Sequence, residues 1–246
     1  MLIKLMILVG FLFPFGAWLI NLLHKLSNSG IKQIREDWIK YGIYFLIICS
    51  VLLIAYAGRH FITLVLAGIT LGGSFELYQN LKTRKFLSVT IFLGFLFLSV
   101  ICLGHLLLGS ENRWFSTFSF TFLLVSVTDS FSQLWGRLLG KHKLCLQLSP
   151  GKTWEGLLGG SLSTLVVALT LSFLIPEATH FQIIGLAFAI ALSGTIGDLL
   201  FSYIKRKIAI KDFSNILPGH GGILDRFDSL IVTAPVFYWL NFLLIK

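Results

Sequence analysis

Residues 181–203 read FQIIGLAFAIALSGTIGDLLFSY, an apolar run interrupted late by a single acid, Asp198. A helix that crosses the hydrocarbon core of a bilayer needs about 20 largely apolar residues, and this stretch is long enough. Other segments approach the same length: Leu5 to Leu23, Tyr41 to Ala57, Phe61 to Tyr78, Phe86 to Leu108, Phe115 to Leu134, Leu157 to Ile175 and Ser229 to Ile245. The composition agrees, with 56% hydrophobic residues, 13% charged residues and a mean hydropathy of +0.86. A soluble domain carries roughly a quarter charged residues. The sequence therefore predicts an all-α polytopic membrane protein with about eight transmembrane helices. It reads as a single integral membrane domain over 1–246, plain in 1–113 and chemically unusual in 114–246. The first run shows no small-x-small cleavage site and reads as a retained helix. Cys49 and Cys102 lie in apolar runs and Cys145 in a basic loop, so no disulfide is expected.

Lysines and arginines set the orientation. In an eight-span layout, sixteen of the twenty fall on one side. They occupy four loops: Lys25 to Lys40, Lys82 to Lys85, Arg137 to Lys152, and Lys205 to Arg226. The positive-inside rule places those loops in the cytoplasm and both termini on the other side. The net charge of +9 is thus a membrane-topology signal, and no nucleic-acid partner is implied.

Acids inside apolar spans are costly, about 2.5–3.5 kcal/mol even on lenient insertion scales. Glu76 sits near the end of its span and reads as structural or interfacial. Asp129 and Asp198 lie deeper, each in a helix followed by a basic loop. Two such carboxylates repel unless something positive stands between them, and either a divalent cation or a lysine would serve. Gly194 and Gly197 flank Asp198 and allow a neighbouring helix or a ligand to come close.

Two loops carry phosphate-binding chemistry. In Ser149-Pro150-Gly151-Lys152-Thr153-Trp154-Glu155-Gly156, Ser149 reads as the cap of the following helix, with Pro150 at its first position. Such a helix N-terminus suits an anion, and Lys152 and Thr153 add a charge and a hydroxyl. The spacing does not match a Walker motif. The second loop runs from Ser202 through Lys205-Arg206 and Lys211-Asp212 to His220-Gly221-Gly222, Asp225-Arg226 and Asp228. Its cations suit a polyphosphate, and its glycines free the backbone for close approach. Asp225 and Asp228, three apart, share one helical face, where one or both could hold a cation, and Arg226 offers a fork for phosphate. His220 is a candidate nucleotide contact or proton donor.

The stretch Ser202 to Asp228 resembles, position for position, the defining motif of the phosphatidate cytidylyltransferases (CDP-diacylglycerol synthases). The resemblance extends through Ser149 to Gly156 and Gly197-Asp198-Leu199, covering roughly Asp129 to Pro235. It implies transfer of cytidylate from CTP to phosphatidate with release of pyrophosphate, in phospholipid biosynthesis. It further implies Mg²⁺ or Mn²⁺ with a monovalent companion such as K⁺, a homodimer in the bilayer, and a cytoplasm-facing site in a bacterial cell membrane. Matching positions puts Asp129, Asp198 and Asp225 as metal ligands, with Asp198, Asp225, Lys205 and Arg206 as the catalytic set. Ser149, Lys152, Thr153, Ser202, Lys211, Asp212, His220, Gly221, Gly222, Arg226 and Asp228 would bind substrates. Ser132-Gln133 stand where many relatives carry Ala-Tyr, and Phe201 where many carry Glu. The alternatives are a CTP-dependent enzyme acting on another lipid phosphate, such as an ether or polyprenyl lipid, and a transporter or scaffold with a degenerate site.

Overall fold

The computed structural model describes residues 1–27, 30–81, 94, 114–214 and 221–245. The expected span from Phe86 to Leu108, the thiol of Cys102 and His220 lie outside these residues. The chain divides into two compact units, Met1–Gly58 and Arg59–Lys246.

The first unit is a helical hairpin, α1 (Leu2–Ser27) and α2 (Ile31–Ala57). Its contacts run antiparallel. Phe13 meets Tyr41 and Phe45 at ring distances of 5.2 and 4.6 Å, while His24 near the turn lies 3.6 Å from Asp37. Pro14 inside α1 removes one helical donor. Just before it, the Tyr41 hydroxyl donates to the Phe13 carbonyl. The α2 helix begins ten residues before the apolar run starting at Tyr41, because the charged stretch ahead of it is helical as well.

The second unit contains α3 (Arg59–Leu81), α4 (Trp114–Leu139), a two-stranded hairpin of β1 (Lys143–Cys145) and β2 (Ser149–Thr153), α5 (Trp154–Thr170), α6 (His180–Lys207) and α7 (Leu224–Leu244). The protein is an all-α polytopic membrane protein carrying one small β-hairpin. Helices α1, α2, α3, α6 and α7 are long and apolar enough to cross a bilayer. Helix α5, with 17 residues, is shorter than a full crossing, and its apolar run continues into the 3-10 turn Ser172–Leu174.

Helix α4 is the hub. Every side chain from Phe118 to Thr128 is buried, so no face of that segment is left for lipid. Two of its polar side chains reach across to α5. Thr128 donates to the Leu124 carbonyl at 2.8 Å and meets the Thr164 hydroxyl of α5 at 2.8 Å. Trp135 donates to Ser163 at 3.1 Å. Helix α5 comes this close through glycines: a Cβ on Gly160 would collide with the Ser132 hydroxyl, and one on Gly159 would stand 2.5 Å from the Trp135 ring. On the opposite face of α5, Leu158, Leu162 and Val166 are exposed, as lipid-facing residues are.

Helix α6 repeats the pattern. Phe181, Phe188, Leu192 and Ile196 line an exposed apolar stripe, while Gly194 and Gly197 face α7. A Cβ on Gly197 would lie 2.9 Å from the Asp228 carbonyl oxygen, so the close neighbour expected beside Asp198 is α7. A capping box between Thr179 and Gln182 starts the helix, and the Gln182 amide also donates to the Leu244 carbonyl at 2.5 Å. At its other end α6 closes with Ala209 at φ +60°, where the Ile210 N–H donates to the Lys205 carbonyl at 3.0 Å. That left-handed cap is normally a glycine position.

Two stability changes follow. Ala209→Gly is expected to stabilise the detergent-solubilised protein by about 0.5–1 kcal/mol, since it removes the left-handed penalty of an L-residue. Gly160→Ala is expected to destabilise it by about 1–3 kcal/mol, with partial recovery on adding Ser132→Gly. Thermal denaturation measures both.

Candidate active site

The first turn of α7 is held by two carboxylates. Asp225 accepts from its own turn, through the Gly222 N–H at 2.9 Å, and from the Phe213 N–H at 2.9 Å. Its other oxygen takes the Lys205 ammonium of α6 at 2.7 Å. Glu76 arrives from α3 and is 2% exposed. It accepts from the Ser214 hydroxyl at 2.6 Å, the Ile223 N–H at 2.9 Å and the Leu224 N–H at 3.0 Å. Gly221 adopts φ +80°, and a Cβ on Gly222 would stand 2.6 Å from a Glu76 oxygen. The glycines thus admit the protein's own carboxylates, and the N–H groups of Gly222, Ile223 and Leu224 are already taken. Beneath the turn, Phe201 packs against Phe213 at 6.3 Å within a core that includes Leu77, Leu224 and Ile231. The position where many relatives carry Glu is therefore a core position here.

A second cluster lies one turn further along α7. Asp129 of α4, Asp198 of α6 and Asp228 of α7 interact electrostatically with one another. Arg226 and Lys152 act on Asp129, and Lys205 acts on Asp228. Ser229 donates to Asp129 at 3.1 Å through its hydroxyl and to Asp228 at 2.7 Å through its N–H. The Lys152 ammonium sits 2.6 Å from Asp198. A lysine thus stands at one of these acids. Among the described residues, the Nε of Arg226 is buried with no hydrogen-bond partner.

Lys152 reaches the cluster from β2. Ser149–Thr153 forms a strand, paired antiparallel with β1 through Cys145–Ser149 and Lys143–Thr153, so the expectation of a Ser149 cap with Pro150 opening the helix is corrected. The cap is Thr153, whose hydroxyl accepts from the Gly156 N–H at 3.1 Å. Ser-Pro-Gly suits a strand-and-turn start as well as a helix start, and the partner strand decides between them. Glu155, in the first turn of α5, fastens the hairpin. It accepts from the backbone N–H groups of Lys141 and His142 and meets the His142 ring at 2.6 Å. The His142 contact, followed by backbone N–H groups, pulls its carboxyl down to about 2. A depressed acid stabilises the fold above its ordinary range near 4.5 and loses that contribution as pH falls toward 2, so the clasp is intact at neutral pH.

Other expected residues stand as follows. Ser202 is buried, 3.4 Å from Asp198. Arg206 is exposed and donates to the carbonyls of Leu148 and Ile210 at 3.3 Å, bridging the hairpin to the end of α6. Lys211 and Asp212 are exposed. Asp225 makes contacts distinct from those of Asp129 and Asp198, and Asp228 occupies the place beside them. Glu76 is the residue that sequence reading left outside the site; a lone acid in an apolar helix was its only signal.

Residues 31–244 match the cytidylyltransferase family. The chain belongs to that family. A phosphatidate cytidylyltransferase of Rickettsia felis (strain ATCC VR-1525 / URRWXCal2) is 31% identical over 234 residues, covering 89% of this chain and 100% of that protein. The phosphatidate cytidylyltransferase of Rickettsia bellii (strain RML369-C) is 43% identical over 128 residues, 49% of this chain and 55% of the relative. That of Staphylococcus aureus (strain COL) is 43% identical over 128 residues, 52% and 48% of the two chains. The chain spans about half the length of these last two relatives.

In a cytidylyltransferase-family site a divalent cation is the implied companion. The donors here suit one in kind, since Asp129, Asp198 and Asp228 are hard oxygen ligands whose charges meet between three helices. Among the described residues, no three His, Cys, Asp or Glu side chains are grouped closely enough to hold a metal ion.

The Lys205–Asp225 pair is nearly dry, with side chains 12% and 3% exposed. Removing one partner of such a pair costs about 3–5 kcal/mol. Lys205→Met is expected to destabilise the protein on that scale, and Lys205→Met with Asp225→Asn to recover part of the loss, as read by thermal melting.

Proposed function

We propose that this protein transfers the cytidylyl group of CTP to phosphatidate, giving CDP-diacylglycerol and pyrophosphate. The observation that carries the reading is the meeting of Asp129, Asp198 and Asp228 with Lys152 and Arg226 on the motif elements of a cytidylyltransferase-family chain. The full-length match to the Rickettsia felis phosphatidate cytidylyltransferase supports the choice of lipid.

In the proposed reaction a phosphatidate oxygen attacks the α-phosphorus of CTP. The new O–P bond forms as the bond from the α-phosphorus to the bridging oxygen breaks, and pyrophosphate leaves with that oxygen. A phosphate monoester is largely ionised at neutral pH, so the site has to position and neutralise anions rather than generate a strong base. Lys152, on its hairpin, moves from Asp198 to an incoming phosphate oxygen. Arg226, whose Nε has no partner among the described residues, forks onto phosphate. Lys205 stays with Asp225 and keeps the first turn of α7 in place. Mg²⁺ or Mn²⁺, with K⁺ as a monovalent companion, would be held by one or two of Asp129, Asp198 and Asp228 together with substrate phosphates, and the divalent ion would supply charge neutralisation for the leaving pyrophosphate. The reading includes a homodimer and a site opening to the cytoplasm, where the basic loops collect. Phosphatidate then enters laterally from the leaflet.

The test uses purified protein, phosphatidate, Mg²⁺ and CTP labelled at the α-phosphate. Label is expected in the lipid phase from α-labelled CTP and not from γ-labelled CTP. Asp198→Asn and Lys152→Ala are each expected to lower kcat by about 10²-fold or more, the scale of losing one preorganised electrostatic contact. Near-normal turnover in either variant refutes the site. γ-label in lipid, or α-label only with an ether or polyprenyl phosphate, refutes the proposed reaction in favour of a kinase or another acceptor.

A further inference from the structure

We propose that Glu76 is a positioning residue of this active site, acting from α3 through the backbone of the glycine turn. Its carboxylate accepts from the N–H groups of Ile223 and Leu224 and from the Ser214 hydroxyl. One turn further along α3, Asn80 donates to the Phe213 carbonyl at 2.8 Å, and between them Leu77 is fully buried in the core under the turn. One face of α3 therefore grips both ends of the segment that carries the motif glycines.

The chemistry favours positioning over metal binding or proton transfer. Both Glu76 oxygens are committed to donors, and the donors are the orphan N–H groups of a helix start. A buried carboxylate at that end meets the positive pole of α7. The same first turns of α7 carry Asp225, Arg226 and Asp228, so the direction of those side chains depends on how the backbone at 222–224 is fixed. Gly222 belongs to the same device, because any side chain there would displace the carboxylate.

This inference rests on the proposed cytidylyl transfer, and the experiment separates the two. Glu76→Gln, Glu76→Ala, Gly222→Ala and the double variant Glu76→Ala/Gly222→Ala are compared in detergent. Glu76→Gln keeps the shape but can accept from only some of the three donors. It is expected to melt within about 3 °C of the parent and to lose kcat about 10-fold, with Glu76→Ala losing about 100-fold, the scale of a small misplacement. CTP affinity should fall less than kcat does, because Lys152 is held by other elements and only Arg226 of the two phosphate-binding cations depends on the turn. Gly222→Ala alone should resemble Glu76→Ala and add little to it, as expected of coupled neighbours. Hydrogen exchange of the 222–224 amides should quicken in Glu76→Gln while α4 is unaffected. Wild-type kcat in folded Glu76→Ala, or additive losses in the double variant, overturns the proposal. If the parent protein transfers no cytidylate, the proposed function fails and exchange decides alone: faster exchange at 222–224 supports the positioning role, and unchanged exchange overturns it.

Discussion

A carboxylate withdrawn from water has to be met by donors or by positive charge, and the unit from Arg59 onward is organised around that demand. Each acid near the motif segments is answered differently. Glu76 is met by two helix-start N–H groups and a hydroxyl, and Asp225 by a lysine and two N–H groups. Asp198 is met by a lysine from a hairpin, Asp129 by a serine hydroxyl, and Asp228 by the N–H of the residue that follows it. The first two sets consist of fixed groups and make a rigid mount. The others are met by a lysine on an outlying hairpin, by one hydroxyl and by one N–H. The two fully answered acids are thereby set apart from the three that meet between α4, α6 and α7.

Glycine makes the arrangement possible at two scales. Between helices, Gly156, Gly159 and Gly160 bring α5 against α4, and Gly194 and Gly197 bring α6 against α7, so the acids of α4, α6 and α7 come within range of one another. Within the motif turn, Gly221 and Gly222 let Asp225 and Glu76 reach the backbone. The same residue type that the sequence suggests for ligand approach serves first to bring the protein's own anions close.

Much of this was legible from the residues. Apolar run length located the described helices to within a few residues at most ends, and the family motif marked α6, its following loop and the start of α7. Asp129 and Asp198 stood out because lipid does not tolerate unanswered charge. Other features were hidden for physical reasons. The hairpin depends on pairing between Lys143–Cys145 and Ser149–Thr153, and neither segment has strand character alone. Asp228 interacts with Asp129 and Asp198 while Asp225 pairs with Lys205, a division of roles that sequence spacing leaves open. The partners of Glu76 lie 138 to 148 residues away, so no local pattern announces them.

The contact between α6 and α7 combines glycines and small hydroxyls, with Ser193 meeting Thr233 at 3.2 Å, and apolar packing of Phe201 with Leu224 and Ile231. Register is marked at the two ends as well, by Gln182 on the Leu244 carbonyl and Lys205 on Asp225. The distances from 182 to 205 and from 225 to 244 are thereby tied together like the two rails of a ladder. One residue inserted in either rail would turn Asp198 or Asp228 away from the other, so the connection at 171–179, outside both rails, is where a change of length is tolerated.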